Sequence, residues 1–361
     1  MKEGFIKSFL SRIAYSSVGD RIVTFLGGER LHAELFVSSS KKRLLAEAKD
    51  VYKKGLGKGS FYDYKLALKK HWVSYSEYAY QYEFYKKSEE ERDTYVSLLR
   101  MAYFYLRYGP GHVRPLFRNK KEFLKRFSQY VHREWIYVPD SSYEEFENLV
   151  SRYDCIVKPS DGTRGKRISK LLKDSNHDKD LLLYRSFVKE KLLLEQCIES
   201  CSELKQLHPQ SLNTIRVVTF SNREKACVFS AVLRTGVGDS IIDNSHAGGI
   251  SAQIDVQSGV VETDGANNRG ERFVRHPDSG IVFKGFVIPK WAEIVSTCCS
   301  AAMQTDNPIT GWDVVINHCG KVEFIEGNHT PDLDMMQTRY QAGFKKSIYS
   351  LIKEYCGIEL K

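Results

Sequence analysis

No run of about 18 uninterrupted apolar residues occurs in the 361-residue sequence, so no segment reads as a membrane-spanning helix. Charges interrupt the opening stretch MKEGFIKSFLSRIAYSSVGDR where a secretory leader would be apolar, and the protein reads as soluble and cytoplasmic. Proline is scarce, at nine residues, and the 25 glycines follow no period, which excludes collagen-like and low-complexity chains. The eight cysteines lack the paired spacing of a zinc site, since Cys197 and Cys201 stand alone and Cys298 adjoins Cys299. Cys155, Cys197, Cys227 and Cys319 sit in apolar, strand-like runs, where a reduced thiol acts as a small hydrophobe. The G-x-x-x-x-G-K-S/T spacing of a P-loop is missing, and no Ser-His-Asp arrangement is evident.

What is present supports two or three compact domains, with 42% apolar and 27% charged residues. The net charge of +9 is uneven: residues 1–150 hold 27 Lys and Arg against 19 Asp and Glu, whereas residues 151–361 hold 27 against 26. Sixteen of the 21 tyrosines also fall in the first 150 residues, so the halves differ in kind.

The first half reads as helical. Phe5, Phe9 and Ile13, with Ile6, Leu10 and Ala14, recur at four-residue spacing and leave Lys2, Lys7 and Arg12 for a polar face. Tyr75, Tyr78, Tyr82 and Tyr85 form a stripe that reads as packing. Leu98, Leu99, Ala102 and Leu106 continue the pattern until Gly109-Pro110-Gly111 breaks it. A basic helix is expected over 119–133, and another after Ser141 or Ser142, with Glu144 and Glu145 in its first turn. From Tyr153 the period changes. CIVKP reads as a short strand, and further strand-like runs follow at 168–172, 191–198, 214–220, 226–234, 250–256, 259–262, 312–317 and 321–326. Helices are expected at 290–304 and 337–355. Mixed elements with hairpin-like turns argue α+β with mostly antiparallel sheet.

The stretch GWDVVINHCGKVEFIEGNHTP reads as a hairpin. It carries Asp313 on one strand, Glu326 at the end of the next, and Asn328 two residues on, hence on the same side. Two carboxylates and an amide oxygen suit a hard cation such as Mg²⁺; a solvated acidic hairpin is the plainer reading. Lys158 at the end of CIVKP, followed by Ser160, Gly162 and Gly165, offers a cation and a flexible loop of N–H donors that can close over phosphate. A basic surface turn would look the same. The strand ending in Glu195-Gln196 can present edge backbone groups to a purine, with Glu203 near a ribose hydroxyl. Arg216 and Arg234 lie inside β-branched, apolar strands, where an unpaired guanidinium is costly. Each therefore implies an anion, either an internal carboxylate or a bound phosphate or carboxylate. DNSHAGGI, with Asn244, is a polar loop able to face the same anion; His246 reads as incidental.

In their order and spacing these segments resemble the ATP-grasp superfamily over about residues 119–345. The resemblance rests on Asn119-Lys120, VKP with DGTRG, LLEQCI, TIRVV, AVLRTG, DNSHAGG, GWDVVI and EFIEGNHTP. HPQSLNTIRVVTF brings the chain nearest the sugar-transfer-associated and teichuronopeptide-type members linked to surface polysaccharide synthesis. The resemblance implies an α+β fold in which two subdomains grip ATP. A small lid subdomain would span 119–194 and a large one, with the Mg²⁺ site, 195–361. It implies phosphate contacts from Lys120 and Lys158 under the 160–165 loop, and an adenine hinge of Glu195, Gln196 and Ile198, with Glu203 at the ribose. Asp313, Glu326 and Asn328 would hold Mg²⁺, while Arg216, Arg234 and Asn244 would bind the γ-phosphate and the acyl phosphate formed from it. The implied reaction is ATP-dependent ligation of a carboxylate, such as a uronic-acid sugar, to an amine or amino acid. A kinase acting on a sugar hydroxyl and a non-catalytic nucleotide-binding protein are the alternatives.

The helical, basic, Tyr-rich residues 1–118 replace the Rossmann-like domain usual at the front of that superfamily. Such a surface can bind an acidic sugar, touch an anionic membrane at its periphery, or serve as a solvated scaffold. No nucleic-acid motif is present. If the first helix is a membrane contact, removal of residues 1–30 is expected to reduce co-sedimentation with anionic liposomes; unchanged partitioning would discard the membrane reading.

Overall fold

A computed structural model describes residues 17–161, 168–173, 177–240 and 248–360 of the chain. The expectations for Gly162, Gly165, Asn244 and the pattern over residues 5–14 therefore lie outside the described residues. The chain divides into two compact units, one of residues 1–110, 268–271 and 330–361, the other of residues 111–267 and 272–329.

The first unit is helical and is built around tyrosine. A long helix, Ser17–Lys53, is followed by Phe61–His71 and Leu98–Tyr108, the second capped by Ser60 and the third by Ser97. Tyr64, Tyr78, Tyr82 and Phe84 are fully buried, and their rings meet at 5.4–5.5 Å between centroids. The tyrosine stripe thus packs a core, but not as one helix: Glu77–Gln81 is a π-helical turn, with Tyr82 N–H donating to the Glu77 carbonyl. The buried Glu77 carboxylate accepts from the N–H groups of Ser74 and Leu98, which ties the widened turn to the next helix. The expected helix at 337–355 is two, Asp334–Tyr340 and Lys345–Cys356. Gln341 at φ 53° ends the first, and at Gly343 a Cβ would lie 2.1 Å from Thr94 Oγ1, an approach only glycine permits.

The second unit contains two antiparallel sheets. β1 (Trp135–Tyr137), β2 (Cys155–Pro159), β3 (Ser169–Leu171) and β4 (Leu192–Gln196) form a four-stranded sheet in the order β1-β4-β2-β3. β5 (Thr214–Ser221), β6 (Ala226–Thr235), β7 (Ile250–Ile254), β8 (Gly265–Ala266), β9 (Arg272–Phe273), β10 (Ile309–Ile316) and β11 (Val322–Asn328) form a seven-stranded sheet, ordered β11-β10-β5-β6-β7-β8-β9. The expected strand at 259–262 makes only single bridges, Ile254 to Val261 and Val260 to Val287. Its start is bent into a turn where Ser258 donates to Asp255 and Gly259 adopts φ 75°. Cys155 is buried as expected, whereas Cys319 is exposed in the turn between β10 and β11.

Alternation along β10 sends Trp312, Val314 and Ile316 into the core, where the Trp312 ring lies 4.9 Å from Phe324 and 5.2 Å from Phe127. The short helix Lys120–Arg126, capped by the Asn119 side chain, packs on this aromatic cluster through Phe123. Its closest approach is at Gly327, where a Cβ would fall 2.5 Å from the Phe123 ring and 2.9 Å from Phe117. The glycine of the E-G-N triplet is therefore what lets this helix sit against β11. Gly327→Ala is expected to cost about 1–3 kcal/mol through overpacking, read as a lowered midpoint of thermal unfolding.

Candidate functional site

Three neighbouring strands carry the central charges in register. Glu326 on β11 is the direct Cα partner of Asp313 on β10, and Asp313 is the partner of Arg216 on β5. Arg216 in turn pairs with Val232 on β6, so Arg234, two residues on, shares the face. The side chains follow this register. Arg216 grips Asp313 with two nitrogens, Nε to Oδ1 and Nη2 to Oδ2, the latter at 2.9 Å, and Arg234 Nη1 donates to Asp313 Oδ1 at 3.1 Å. Of the two anions left open for the arginines, the internal carboxylate is thus present.

Burial alone would raise the Asp313 carboxyl, but the Arg216 and Arg234 charges overcome it and hold Asp313 well below the usual carboxylate range. Glu326 behaves oppositely. Enclosure by protein, then the negative charge of Asp313, pushes it up against the pull of Arg216, Lys158 and Lys120. The residue nonetheless remains exposed to solvent. The register sets Glu326 opposite Asp313 and Asn328 opposite Gly311, so the oxygens of all three side chains share one face of the sheet. Glu326 and Asn328 offer hard oxygen donors there, which fits Mg²⁺. Asp313 fits as a further donor with little spare capacity, because arginines occupy three of its roughly four lone-pair sites.

The second cluster belongs to the small sheet. Ile156 on β2 pairs with Glu195 on β4, so Lys158, two residues along, extends over the same face. Lys158 Nζ lies 2.6 Å from Glu195 Oε1, and Glu195 Oε2 accepts from Arg133 Nε at 2.6 Å. All three side chains are buried. Burial would raise Glu195, but Arg133 and Lys158 pull it down to about 2. Lys120 is half-buried beside them. Its N–H donates to the Ser160 carbonyl at 2.9 Å, and Asn119 bridges Asp161, so Lys120 adjoins the buried Ser160. Burial and then the like charge of Lys158 push Lys120 down, while Glu326, Glu195 and Asp161 oppose this. Through these mutual influences Lys120, Lys158, Glu195 and Glu326 form one electrostatic neighbourhood.

The expected hinge is only partly drawn into it. The Gln196 N–H donates to the Glu134 carbonyl and that of Cys197 to the Asp154 carbonyl. Ile198 is half-buried just beyond, and Glu203 is exposed on the helix Ser202–Lys205, accepting from Ser202 Oγ. The Glu195 side chain points to Arg133 and Lys158. Arg133 and the fully buried Glu323 were missed. The available signal was the one that exposed Arg216: a charged residue set against an apolar strand, in VHREWIYV and KVEFI.

The model of the sugar-transfer-associated ATP-grasp family matches residues 99–352, and the chain belongs to that family. None of the curated proteins matches the sequence. Among solved structures, the ATP-grasp ligase PsnB in complex with a minimal precursor is similar at 14% identity and TM-score 0.43, over 73% of this chain and 71% of that one. D-cycloserine synthetase DcsG is similar at 11% identity and TM-score 0.41, over 66% and 71%. N5-carboxyaminoimidazole synthase from Aspergillus clavatus follows at 9% identity and TM-score 0.40, over 67% and 53%.

Because Glu195 is depressed in the folded state, its stabilising contribution is complete above its ordinary value near 4.5 and is lost as pH falls towards 2. Glu195→Gln, which leaves two buried cations under-compensated, is expected to cost about 3–5 kcal/mol at neutral pH and to flatten the acid limb of a stability–pH curve between pH 4.5 and 2.

Proposed function

We propose that the protein is an ATP-dependent carboxylate–amine ligase that works through an acyl phosphate, attaching an amino acid or amine to an acidic sugar of a surface polysaccharide or its precursor. The observation that carries this reading is the Glu326–Asp313 pair, two carboxylates directly opposite on neighbouring strands, within electrostatic reach of Lys120 and Lys158. Such a site has cations for phosphate oxygens on one side and oxygen donors for a divalent cation on the other. Family membership supports the nucleotide, and its description supports the sugar context.

In this reading Lys120 and Lys158 bind phosphate oxygens of ATP, and the purine lies along the hinge of Glu195, Gln196 and Ile198, with Glu203 at the ribose. Glu326, Asn328 and Asp313 would hold Mg²⁺, which would supply positive charge to neutralise the phosphates. Arg216 and Arg234 fix Asp313 and present positive charge towards the transferring phosphoryl group, joined by Asn244 from its loop. A substrate carboxylate oxygen attacks the γ-phosphorus, the bond to ADP breaks, and an acyl phosphate forms. The amine then attacks the acyl carbon, phosphate leaves, and the proton lost from nitrogen passes to solvent. Positioning and electrostatics carry these steps without a side-chain nucleophile.

The test is phosphate release from Mg-ATP with pooled amino acids and uronic-acid sugars, followed by mass spectrometry. Free phosphate with an amide-sized mass gain is the expected result; a phosphorylated sugar without free phosphate would instead identify a kinase. Asp313→Asn and Glu326→Gln should each lower turnover at least about 100-fold with the circular dichroism spectrum retained. Normal turnover in both would overturn the metal assignment.

A further inference from the structure

Arg133 is a buried side chain beside the site with all three guanidinium nitrogens hydrogen-bonded, and the ligase reading gives it no task. It lies just before β1, with its side chain 1% exposed. Nε donates to Glu195 Oε2 at 2.6 Å, Nη1 to the Phe324 carbonyl at 2.7 Å and Nη2 to the Ile325 carbonyl at 3.4 Å. Its own N–H and that of His132 donate to Oε2 of Glu323, at 3.0 and 2.6 Å, and Glu323 Oε2 lies 3.8 Å from Nη1. One guanidinium thus reaches β4 of the small sheet and β11 of the large sheet, touching the strand segment that leads directly into Glu326.

The charge balance gives this bridge a consequence for Lys158. Glu195 is buried and shared by two cations, Arg133 and Lys158. With Arg133 in place, Glu195 is already compensated, and Lys158 can turn part of its charge to a phosphate at small cost. Without Arg133 the buried carboxylate would have Lys158 as its single partner, and drawing that ammonium away would strand a charge in a poorly solvated site. Only a fork can do this: the planar guanidinium bonds a carboxylate and two carbonyls together, which an ammonium on a flexible stem does poorly.

We propose that Arg133 is a positioning residue that compensates Glu195, keeping Lys158 available to the nucleotide's phosphates, and that fixes β4 to the β11 segment carrying Glu326. This rests on the nucleotide-site reading above. It predicts a phosphate-specific defect, whereas a residue serving the fold alone would weaken every ligand equally.

Equilibrium binding of ATP and of AMP to the full chain, followed by fluorescence, tests it on the wild type, Arg133→Met, Arg133→Lys and the double variant Arg133→Met/Glu195→Gln. The double variant removes the Arg133 and Glu195 charges together and guards against a single variant that does not fold. Arg133→Met is expected to lose at least about tenfold in ATP affinity, the worth of one charge-assisted contact, while AMP affinity changes less than about twofold. Arg133→Lys should fall between it and the wild type. Adding Glu195→Gln should raise ATP affinity at least about threefold above Arg133→Met, because Lys158 no longer has a buried anion to neutralise. Unchanged ATP affinity in Arg133→Met, equal losses for ATP and AMP, or no gain in the double variant would each overturn the proposal. A wild-type chain that binds neither nucleotide would overturn the nucleotide-site reading, and this inference with it.

Discussion

The second unit is organised by the need to neutralise charge inside a sheet. Asp313 sits at the centre of β10 with both oxygens engaged by arginines from β5 and β6, so three strands share one ionic contact. Removing ions from water costs several kcal/mol each, and a hydrophobic pair would often serve stability as well. The arrangement makes sense as a way to hold fixed charges beside a highly charged ligand with little reorganisation. Glu326 stands at the end of this row, and its carboxyl is raised by burial first and then by the negative charge of Asp313.

Much of this could be read in the amino-acid sequence because its signals are local. Arg216 and Arg234 stand out against β-branched neighbours, and Asp313, Glu326 and Asn328 fall on a hairpin whose register brings them together. Family resemblance supplied Lys120, whose link to Ser160 spans some forty residues and leaves no periodic trace. What local pattern could not supply was pairing between distant segments. The purine-edge reading of Glu195 concerned its backbone and named no partner for its carboxylate, which turns to Arg133 because a buried acid takes whichever cation the fold delivers. The continuous helix expected over 337–355 failed for the same reason, since Gly343 accommodates Thr94, a residue remote in sequence.

The helical unit follows a different logic. Its core is rich in tyrosines, and Tyr78 meets Asp63 at 2.7 Å, while Arg92 grips the same carboxylate and the Phe84 carbonyl. A tyrosine-rich core of this kind is specified by hydrogen bonds as much as by volume. Gln337 adds to it by bonding both the N–H and the carbonyl of Val96, as a neighbouring strand would.

The β10–β11 pairing contains one irregularity: Asp313 faces Glu326 but Val314 faces Phe324, so Ile325 has no opposite number. In an unbroken strand Val322, Phe324, Glu326 and Asn328 would all point the same way, and the acids would enter the hydrophobic core with Phe324. The extra residue inverts the phase, so that oil faces one side before it and acid the other side after it. Here the parity of the chain, rather than any side chain, decides where chemistry can occur. Ile325 can therefore change its identity far more freely than the segment can change its length, since losing a single residue would turn the ends of Glu326 and Asn328 inward together.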